Sequence, residues 1–253
     1  MKTAEREVWI AAAAAVEALA GTASVWCEPP RVRKELAELL GALPATHVAV
    51  DLAAILAADP AGGWGALLGR AAPWNDRLPE LAQAIASATA GRAAWGFVLP
   101  APRTVASALG DASERGIVKA GLQLAGLLQH VRDAGLHFVA LDVFTAAETR
   151  AVGPILKNAA LYGWRRAIRV ADLAAERSAQ PDLWLVEDAE AAVLAPLWTA
   201  GERVAGGLGR RFWTAAHLEG AAPARFLLYG TVPAETEPGA IVAAGRALRQ
   251  WTG

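Results

Sequence analysis

Short apolar runs alternate along the chain with longer segments of helical periodicity, the pattern that repeated strand–helix units produce. Most of the short runs are continuously hydrophobic, which is typical of parallel strands buried on both faces. Eight runs qualify as strands, the number that closes a barrel filled by its own side chains. The predicted strands are Ala23–Glu28, His47–Leu52, Ala93–Pro100, Phe138–Val143, Arg166–Val170, Leu183–Glu187, Arg203–Leu208 and Arg225–Gly230.

The segments between these runs carry the start and stop signals of helices. Prolines open the segment Pro30–Leu40 and Gly41 follows it, and other helical segments likewise end at a glycine. The alanine-rich stretch 8–20 precedes the first predicted strand, and we expect it to form a helix that covers the bottom of the barrel. The sequence therefore predicts one domain over residues 1–253, a single (β/α)8 barrel with an N-terminal helix.

The composition argues against two classes of partner. The formal net charge is −1, so the chain as a whole has no attraction to nucleic acid or to an anionic membrane surface. No apolar run reaches the roughly 20 residues that a membrane span requires. The single cysteine, Cys27, allows no intrachain disulfide, which fits a reducing cytoplasm. We therefore expect a cytoplasmic protein whose partner is a small molecule, and the sequence leaves open whether it forms a homodimer.

The four histidines are poorly placed for a metal site at the functional face of a barrel. His47 and His137 lie at the amino ends of predicted strands, whereas His130 and His217 lie inside predicted helices. A zinc centre needs three or four nitrogen, sulfur or oxygen ligands. A carboxylate-only magnesium site is an alternative for which the chain has no motif. We therefore predict no bound metal and no cofactor.

Barrel enzymes build their active sites at the carboxyl ends of the strands and in the loops that follow them. The irregular segment 52–79, which follows the second predicted strand, is expected to be a long loop at this face. The residues that the rule selects are Cys27, Glu28, Asp51, Pro100–Thr104, Asp142, Arg169, Asp172, Glu187, Asp188, Gly206–Arg211 and Tyr229–Thr231.

Three of these residues are the candidates for catalysis: Asp51, Asp142 and Tyr229. Both aspartates end a strand in the pattern apolar–apolar–Asp, where a carboxylate can serve as a general base. The alternative for each aspartate is structural, a carboxylate that caps the loop or helix that follows.

The candidates for substrate binding lie at the same face. Arg103 and Thr104 open a helix in the sequence PAPRT, where a cation beside free helix N–H groups makes an anion site. The alternative for Arg103 is a surface arginine or an ion pair with Asp142. Gly207 and Arg210 belong to GGLGRR, which suits either a phosphate site or a tight turn with solvated arginines. The other candidates are Glu28, Arg169 and Glu187.

Five stretches in the second half of the chain carry a family resemblance. They are Pro100–Gly110 (PAPRTVASALG), Asp133–Val143 (DAGLHFVALDV), Ile168–Asp172 (IRVAD), Glu202–Gly209 (ERVAGGLG) and Leu228–Leu248 (LYGTVPAETEPGAIVAAGRAL). In order and spacing they resemble motifs of the superfamily that contains uroporphyrinogen decarboxylase and cobalamin-independent methionine synthase. The resemblance covers about residues 95–253 and implies a (β/α)8 barrel.

The chain departs from both branches of that superfamily. Where the methyltransferase branch has the histidine and cysteine that hold zinc, this chain has Ile168 and Val170. The arginine-rich N-terminal loop of the decarboxylase branch has no counterpart better than Pro29–Arg33. The resemblance therefore implies a short, divergent, metal-free member of the superfamily.

Two hypotheses for the function follow from these observations. The first is a metal-independent lyase or transferase that acts on a small anionic, carboxylate-bearing substrate at the barrel mouth. The second is a non-catalytic ligand-binding or partner protein on a degenerate barrel scaffold, which the unfavourable placement of the histidines supports. Recognition of a phosphate ester through GGLGRR is a third reading. Convergence of Arg103, Asp142 and Tyr229 on one cavity would favour the first hypothesis.

Overall fold

The structure, a computed structural model, describes residues 6–57, 63–64, 68, 74–142, 145, 148–171, 181–218 and 222–253. Eight parallel strands follow one another around a closed barrel in chain order, and the last strand pairs with the first. The predicted fold class, a (β/α)8 barrel, is confirmed. The strands are β1 Arg6–Ala11, β2 His47–Asp51, β3 Ala94–Leu99, β4 Phe138–Asp142, β5 Arg165–Val170, β6 Leu183–Glu190, β7 Val204–Gly207 and β8 Phe226–Thr231.

The first predicted strand is wrong, whereas the other seven match β2 to β8. The segment predicted as a strand, Ala23–Glu28, forms a 3-10 helix over Ala23–Cys27. Strand β1 is instead Arg6–Ala11, in the stretch that the sequence assigned to a helix. Its apolar residues are buried between β2 and β8, but a short apolar run that leads into alanines has no periodicity to separate a strand from a buried helix.

The helices surround the barrel between successive strands. The predicted N-terminal helix is present over Ala13–Ala20, but it begins at the carboxyl end of β1 and therefore does not cover the bottom of the barrel. The helices are α1 Ala13–Ala20, α2 Pro29–Ala42, α3 Leu52–Ala57, α4 Trp74–Thr89, α5 Pro102–Ala108, α6 Glu114–His130, α7 Thr149–Leu161, α8 Ala191–Thr199, α9 Arg210–Ala215 and α10 Pro238–Thr252.

The amino end of the barrel is filled by packed side chains. Trp9 stacks on His47 with ring centroids 4.0 Å apart, and Phe138 lies against the same indole at 4.5 Å. The indole N–H of Trp9 donates to Glu7, and the Nη1 atom of Arg165 lies 2.9 Å from both carboxylate oxygens of Glu7. A layer of this kind stabilises the fold. A cavity of about 470 Å³ opens at the same end, around the first residues of β2, β3 and β4, where Thr46, Trp95 and His137 line it. Barrel enzymes, however, build their active sites at the carboxyl ends of the strands, so the candidate catalytic groups are expected at the opposite end.

Helices α6 and α7 approach closely at Gly121, which gives a test of the packing. A Cβ atom at Gly121 would lie 2.1 Å from the carbonyl oxygen of Ala151, whereas a Cβ at Gly126 of the same helix would meet nothing within 4 Å. We expect Gly121→Ala to lower the free energy of unfolding by about 1–3 kcal/mol, the usual cost of overpacking. Gly126→Ala should raise it by up to about 1 kcal/mol, because alanine is the better helix former.

Urea unfolding of the two glycine variants measures this difference directly. The variants match in residue type and in helix, so helix propensity contributes equally to both. Equal effects of the two substitutions would contradict the close approach of α6 to α7 at Gly121.

Candidate active site

Arg169 lies at the carboxyl end of the barrel among three carboxylates. Its Nε donates a hydrogen bond to the Oδ1 atom of Asp142 at 2.6 Å, and its Nη2 lies 2.8 Å from the Oδ2 atom of Asp51. Its Nη1 lies 3.8 Å from the Oε1 atom of Glu187, beyond hydrogen-bond distance. We call these four residues, together with Tyr229 and Thr231, the mouth cluster.

The barrel brings these side chains together from four strands besides that of Arg169. Asp51 and Asp142 are the last residues of β2 and β4, and Asp142 is paired in register with Arg169 of β5. Thr231 ends β8 and donates a hydrogen bond to Glu187 of β6 at 3.0 Å. The four strands β2, β4, β6 and β8 alternate around the barrel, and such alternate strands contribute the layers of side chains inside barrels of this type.

The neighbours of Arg169 keep its guanidinium group protonated. Only 15% of its side chain is exposed. Burial lowers the pKa of the guanidinium, but Tyr229 and Asp142 foremost, and Asp51 after them, raise that pKa by more, so it lies above its ordinary value. The mouth cluster therefore holds one permanent positive charge against three acidic groups, and its balance is negative when all three are ionised.

Asp142 holds a proton more readily than an ordinary aspartate. Burial raises the pKa of its carboxyl group, and the negative charge of Asp51 adds to this effect. The charge of Arg169 and its hydrogen bond act in the opposite direction without cancelling the burial. A carboxyl group with a raised pKa is a candidate for proton transfer near neutral pH.

Tyr229 is the most deeply buried polar group of the mouth cluster. None of its surface is exposed, and its hydroxyl group has no hydrogen-bond partner of normal geometry among the described residues. Residues two apart in a strand share a face, so Tyr229 faces the barrel interior with Thr231. Burial raises the pKa of the Tyr229 phenol to about 12, and the carboxylate of Glu187 adds to that rise. Tyr229 therefore remains a neutral group that can donate a hydrogen bond.

Arg103 does not join the mouth cluster. Its backbone N–H donates to the Oε1 atom of Glu148 at 3.0 Å, and its guanidinium, about half exposed, lies 3.8 Å from the Oε2 atom of that residue. Thr104 is exposed in the first turn of α5. Of the three residues expected to converge, Asp142 and Tyr229 lie beside Arg169, whereas Arg103 is paired with Glu148 and not with Asp142.

Two further binding candidates have structural roles in this fold. Glu28 does not follow a strand: it precedes α2, is exposed and lies 3.6 Å from Arg31. Gly207 has a φ of +94°, and a Cβ there would lie 3.1 Å from Ala191. The glycine at position 207 is therefore required by the backbone and by its packing against α8.

A cavity of about 270 Å³ opens beside the mouth cluster, between the ends of β6, β7 and β8. Arg210, the last binding candidate, lies at its rim, where its exposed side chain hydrogen-bonds to Glu235. The residues that line the cavity are Glu187, Leu208, Gly209, Arg210, Thr231, Pro233 and Glu235. Glu187 and Thr231 belong both to the cavity wall and to the mouth cluster, so a ligand in the cavity would contact the cluster.

Sequence reasoning missed three residues at this end of the barrel. Thr231 was within the selected strand end but was not chosen, and Glu235 carries no recognisable motif. Glu148 did have a signal, because Thr145 and Glu148 have the spacing of a capping box, in which the acidic residue reaches back to the N–H three residues earlier. That bond is present: Glu148 accepts from the Thr145 N–H at 3.0 Å.

Some expectations fall outside the described residues. They concern Asp172, the side chain of Asp188 and most of residues 58–73. The expectation that residues 52–79 form one long loop is wrong at both ends, because 52–57 form α3 and 74–79 begin α4. His217, which the sequence placed inside a helix, follows the end of α9 instead.

Within the part of the chain that the structure describes, no three histidine, cysteine, aspartate or glutamate side chains are grouped as a metal would require. The three carboxylates of the mouth cluster surround a guanidinium, which occupies the centre of the group. None of the described helices combines the length and the apolar character that crossing a bilayer requires.

The closed parallel barrel and the ionisable groups at its carboxyl end define the class, a (β/α)8 barrel with a polar mouth. Among solved structures, the chain is similar to a methyltransferase from Methanosarcina mazei, with a TM-score of 0.60 and 15% identity over 99% of this chain and 93% of that one. At this identity the likeness shows the fold alone. No protein-family model and no curated protein matches the sequence.

Proposed function

We propose that this protein is an enzyme of the transferase or lyase type whose active site is the mouth cluster. The observation that carries the proposal is the convergence of Asp51, Asp142, Glu187 and Tyr229 around the buried Arg169. Barrel enzymes assemble their catalytic groups in this way, from the ends of several strands. The methyltransferase with the same fold and the resemblance of the second half to the decarboxylase and methionine synthase superfamily support a transfer or lyase reaction.

Each group of the cluster has a chemical role in this proposal. Asp142 transfers a proton, because its pKa is raised and about a third of its side chain is exposed. Tyr229 donates a hydrogen bond to a substrate oxygen, and Arg169 supplies a fixed positive charge that stabilises negative charge as it develops. Asp51, which the sequence offered either for catalysis or as a cap, has the capping contacts: its Oδ1 atom accepts from the Ala53 and Ala54 N–H groups at 2.9 and 3.4 Å. Its Oδ2 atom holds the guanidinium in place, so we assign it a positioning role. The reaction is proposed to need no transition metal, because Arg169 provides the positive charge at the centre of the carboxylates.

The charge of the substrate is a separate question. The sequence predicts an anionic, carboxylate-bearing substrate, and that expectation remains a prediction. The charge balance of the mouth cluster favours the opposite sign, because three acidic groups face one guanidinium. The proposed substrate is therefore a small polar molecule, and the proposed function does not depend on the sign of its charge.

A non-catalytic ligand-binding protein is the second candidate function. It is favoured by the engagement of Arg169 with three carboxylates and by the positions of His47 and His137 at the amino ends of their strands. The two functions differ in one observable, because only the enzyme converts its ligand.

Asp142→Asn tests the catalytic role. Native mass spectrometry of the freshly purified chain, or a thermal-shift screen, first supplies a compound that binds, and its conversion is then followed. Asparagine keeps an acceptor for the Nε of Arg169 but cannot transfer a proton, so we expect kcat to fall about 10²–10⁴-fold with little change in KM. In the unmodified protein, the pH profile should contain a limb above the ordinary aspartate range, because the pKa of Asp142 is raised.

Asp182→Asn is the matched control for this experiment. Asp182 pairs with Arg166 where β5 and β6 begin, at the other end of the barrel. Its replacement should leave turnover unchanged. Turnover by Asp142→Asn at nearly the original rate would refute the catalytic role, and a compound that binds without conversion would favour the second candidate.

A further inference from the structure

We infer that the cavity beside the mouth cluster binds a positively charged nitrogen of the substrate, an amine or quaternary ammonium group, against the carboxylate of Glu187. This inference rests on the proposed function, because it assigns the substrate class of the same site.

Glu187 lies where a ligand in the cavity meets the catalytic groups. Its side chain is 35% exposed and lines the cavity together with Thr231. On the side of the mouth cluster, the Nη1 atom of Arg169 lies 3.8 Å from the Glu187 carboxylate, and Tyr229 is close enough for the Glu187 charge to raise the pKa of its phenol. A group bound to Glu187 from the cavity would therefore be held within reach of the mouth cluster.

The carboxylate of Glu187 has acceptor capacity to spare. Among the described residues, the hydrogen bond that it receives comes from the Thr231 hydroxyl, at 3.0 Å to Oε1. Arg169 contributes charge at 3.8 Å but no hydrogen bond. An ionised carboxylate has about four acceptor positions. An ammonium group would donate hydrogen bonds to the free acceptor positions of Glu187, and its positive charge would neutralise the carboxylate.

The surroundings of the cavity repel an anion and attract a cation. Among the described residues, the cavity is lined by two carboxylates, those of Glu187 and Glu235, and by one cation, Arg210, which is already hydrogen-bonded to Glu235. Asp51 and Asp142 add negative charge behind Glu187, and Arg169 balances only part of it. A cleft lined by charges of one sign raises the local concentration of ligands that carry the opposite charge.

The fully buried Tyr229 hydroxyl is a second, independent sign of a ligand at this place. Thr231 and Arg169 lie close enough to lower the pKa of its phenol, but among the described residues none makes a hydrogen bond of normal geometry with the hydroxyl. A buried hydroxyl group without a well-formed hydrogen bond costs free energy unless a ligand or water completes it. A polar atom of the substrate next to its charged nitrogen would supply that partner.

The test measures the binding of simple probes to the full chain by thermal shift and calorimetry. The cationic probes are ethylammonium, tetramethylammonium and 1,3-diaminopropane, and acetate and glycerol are the probes of similar size with negative and no charge. Sodium chloride keeps the ionic strength constant, so that general screening does not imitate binding. We expect at least one cationic probe to raise the melting temperature, and acetate and glycerol to leave it unchanged.

Glu187→Gln locates the binding. This variant keeps the size of the side chain and removes its charge, and we expect it to weaken the binding of the cationic probes about tenfold or more, since a hydrogen bond to a charged group is lost. Thr231→Val should weaken binding less, because the carboxylate remains. Glu202→Gln, in the exposed segment before β7, is the control and should bind the probes as the unmodified protein does.

Three results would overturn the inference: binding of acetate in place of the cations, binding of none of the cationic probes, or equal binding by Glu187→Gln and the unmodified chain. Each differs from a failure of the proposed function. That function fails through the turnover of Asp142→Asn, whereas the Glu187 measurement needs no turnover.

Discussion

Replacing Arg169 with methionine should lower the free energy of unfolding by about 3–5 kcal/mol at neutral pH, the range for removing one partner of a buried ion pair. The substitution leaves Asp51 and Asp142 without the cation that lies 2.8 and 2.6 Å from their oxygens. Methionine fills much of the volume of the arginine stem, so the loss reports on charge more than on packing.

The loss should depend on pH in a defined direction. Arg169 lowers the pKa of Asp142 and the charge of Asp51 raises it, so without Arg169 the pKa of Asp142 in the folded protein should rise further above its value in the unfolded chain. An acidic group whose pKa is higher in the folded protein than in the unfolded chain stabilises the folded state at pH values below its unfolded-state pKa. This stabilisation is lost as the pH rises through the pKa of the group in the folded protein. The pKa of Asp142 is already raised in the unmodified protein. The destabilisation by Arg169→Met should therefore be largest at neutral pH and shrink in mild acid.

Urea unfolding at neutral and at mildly acidic pH measures this effect. Arg169→Lys is the control, because lysine keeps the positive charge but cannot offer the planar set of donors that reaches two carboxylates. It should cost less than methionine and show a weaker pH dependence. A pH-independent loss, or equal losses in the two variants, would show that the cluster is not held by the charge of Arg169.

Most of the barrel could be predicted from the sequence because its strands are buried on both faces. Runs such as FVALD and LWLVE are apolar up to their last residue, and this pattern can be recognised without knowing which strands lie beside them. Strand β1 could not be recognised in this way, because its apolar residues continue without a break into the alanines of α1. Its pairing with β2 and β8 makes it a strand, and both partners lie far from it in the sequence.

The members of the mouth cluster could be predicted for a similar reason. The residues selected from the sequence lie at or next to the carboxyl end of a predicted strand, and the ends of parallel barrel strands meet at one face. They are Asp51, Asp142, Arg169, Glu187 and Tyr229. Which charges pair there could not be predicted, because contacts between strands depend on the closure and stagger of the whole barrel. The sequence therefore offered Asp142 as a partner of Arg103, whereas the structure pairs Asp142 with Arg169.

Glu148 provides the second large effect that we expect. Only 3% of its side chain is exposed, and its carboxylate accepts hydrogen bonds from the Arg103 N–H, the Thr145 N–H and the Thr145 hydroxyl, each at 3.0 Å. Glu148→Ala leaves these donors without their acceptor, so we expect the free energy of unfolding to fall by about 2–4 kcal/mol. The melting temperature and urea unfolding measure the change.

Arg103→Ala is the comparison that decides what this contact does. If the bond to the backbone N–H at the start of α5 provides the stability, removal of the exposed Arg103 guanidinium should cost less than about 1 kcal/mol, as for other exposed ion pairs. The loss of unfolding free energy in Glu148→Gln should lie between those of Arg103→Ala and Glu148→Ala, because glutamine keeps a hydrogen-bond acceptor but not the charge. An equal loss in Arg103→Ala and Glu148→Ala would assign the stability to the ion pair instead, and the carboxylate would then hold the guanidinium rather than cap the helix.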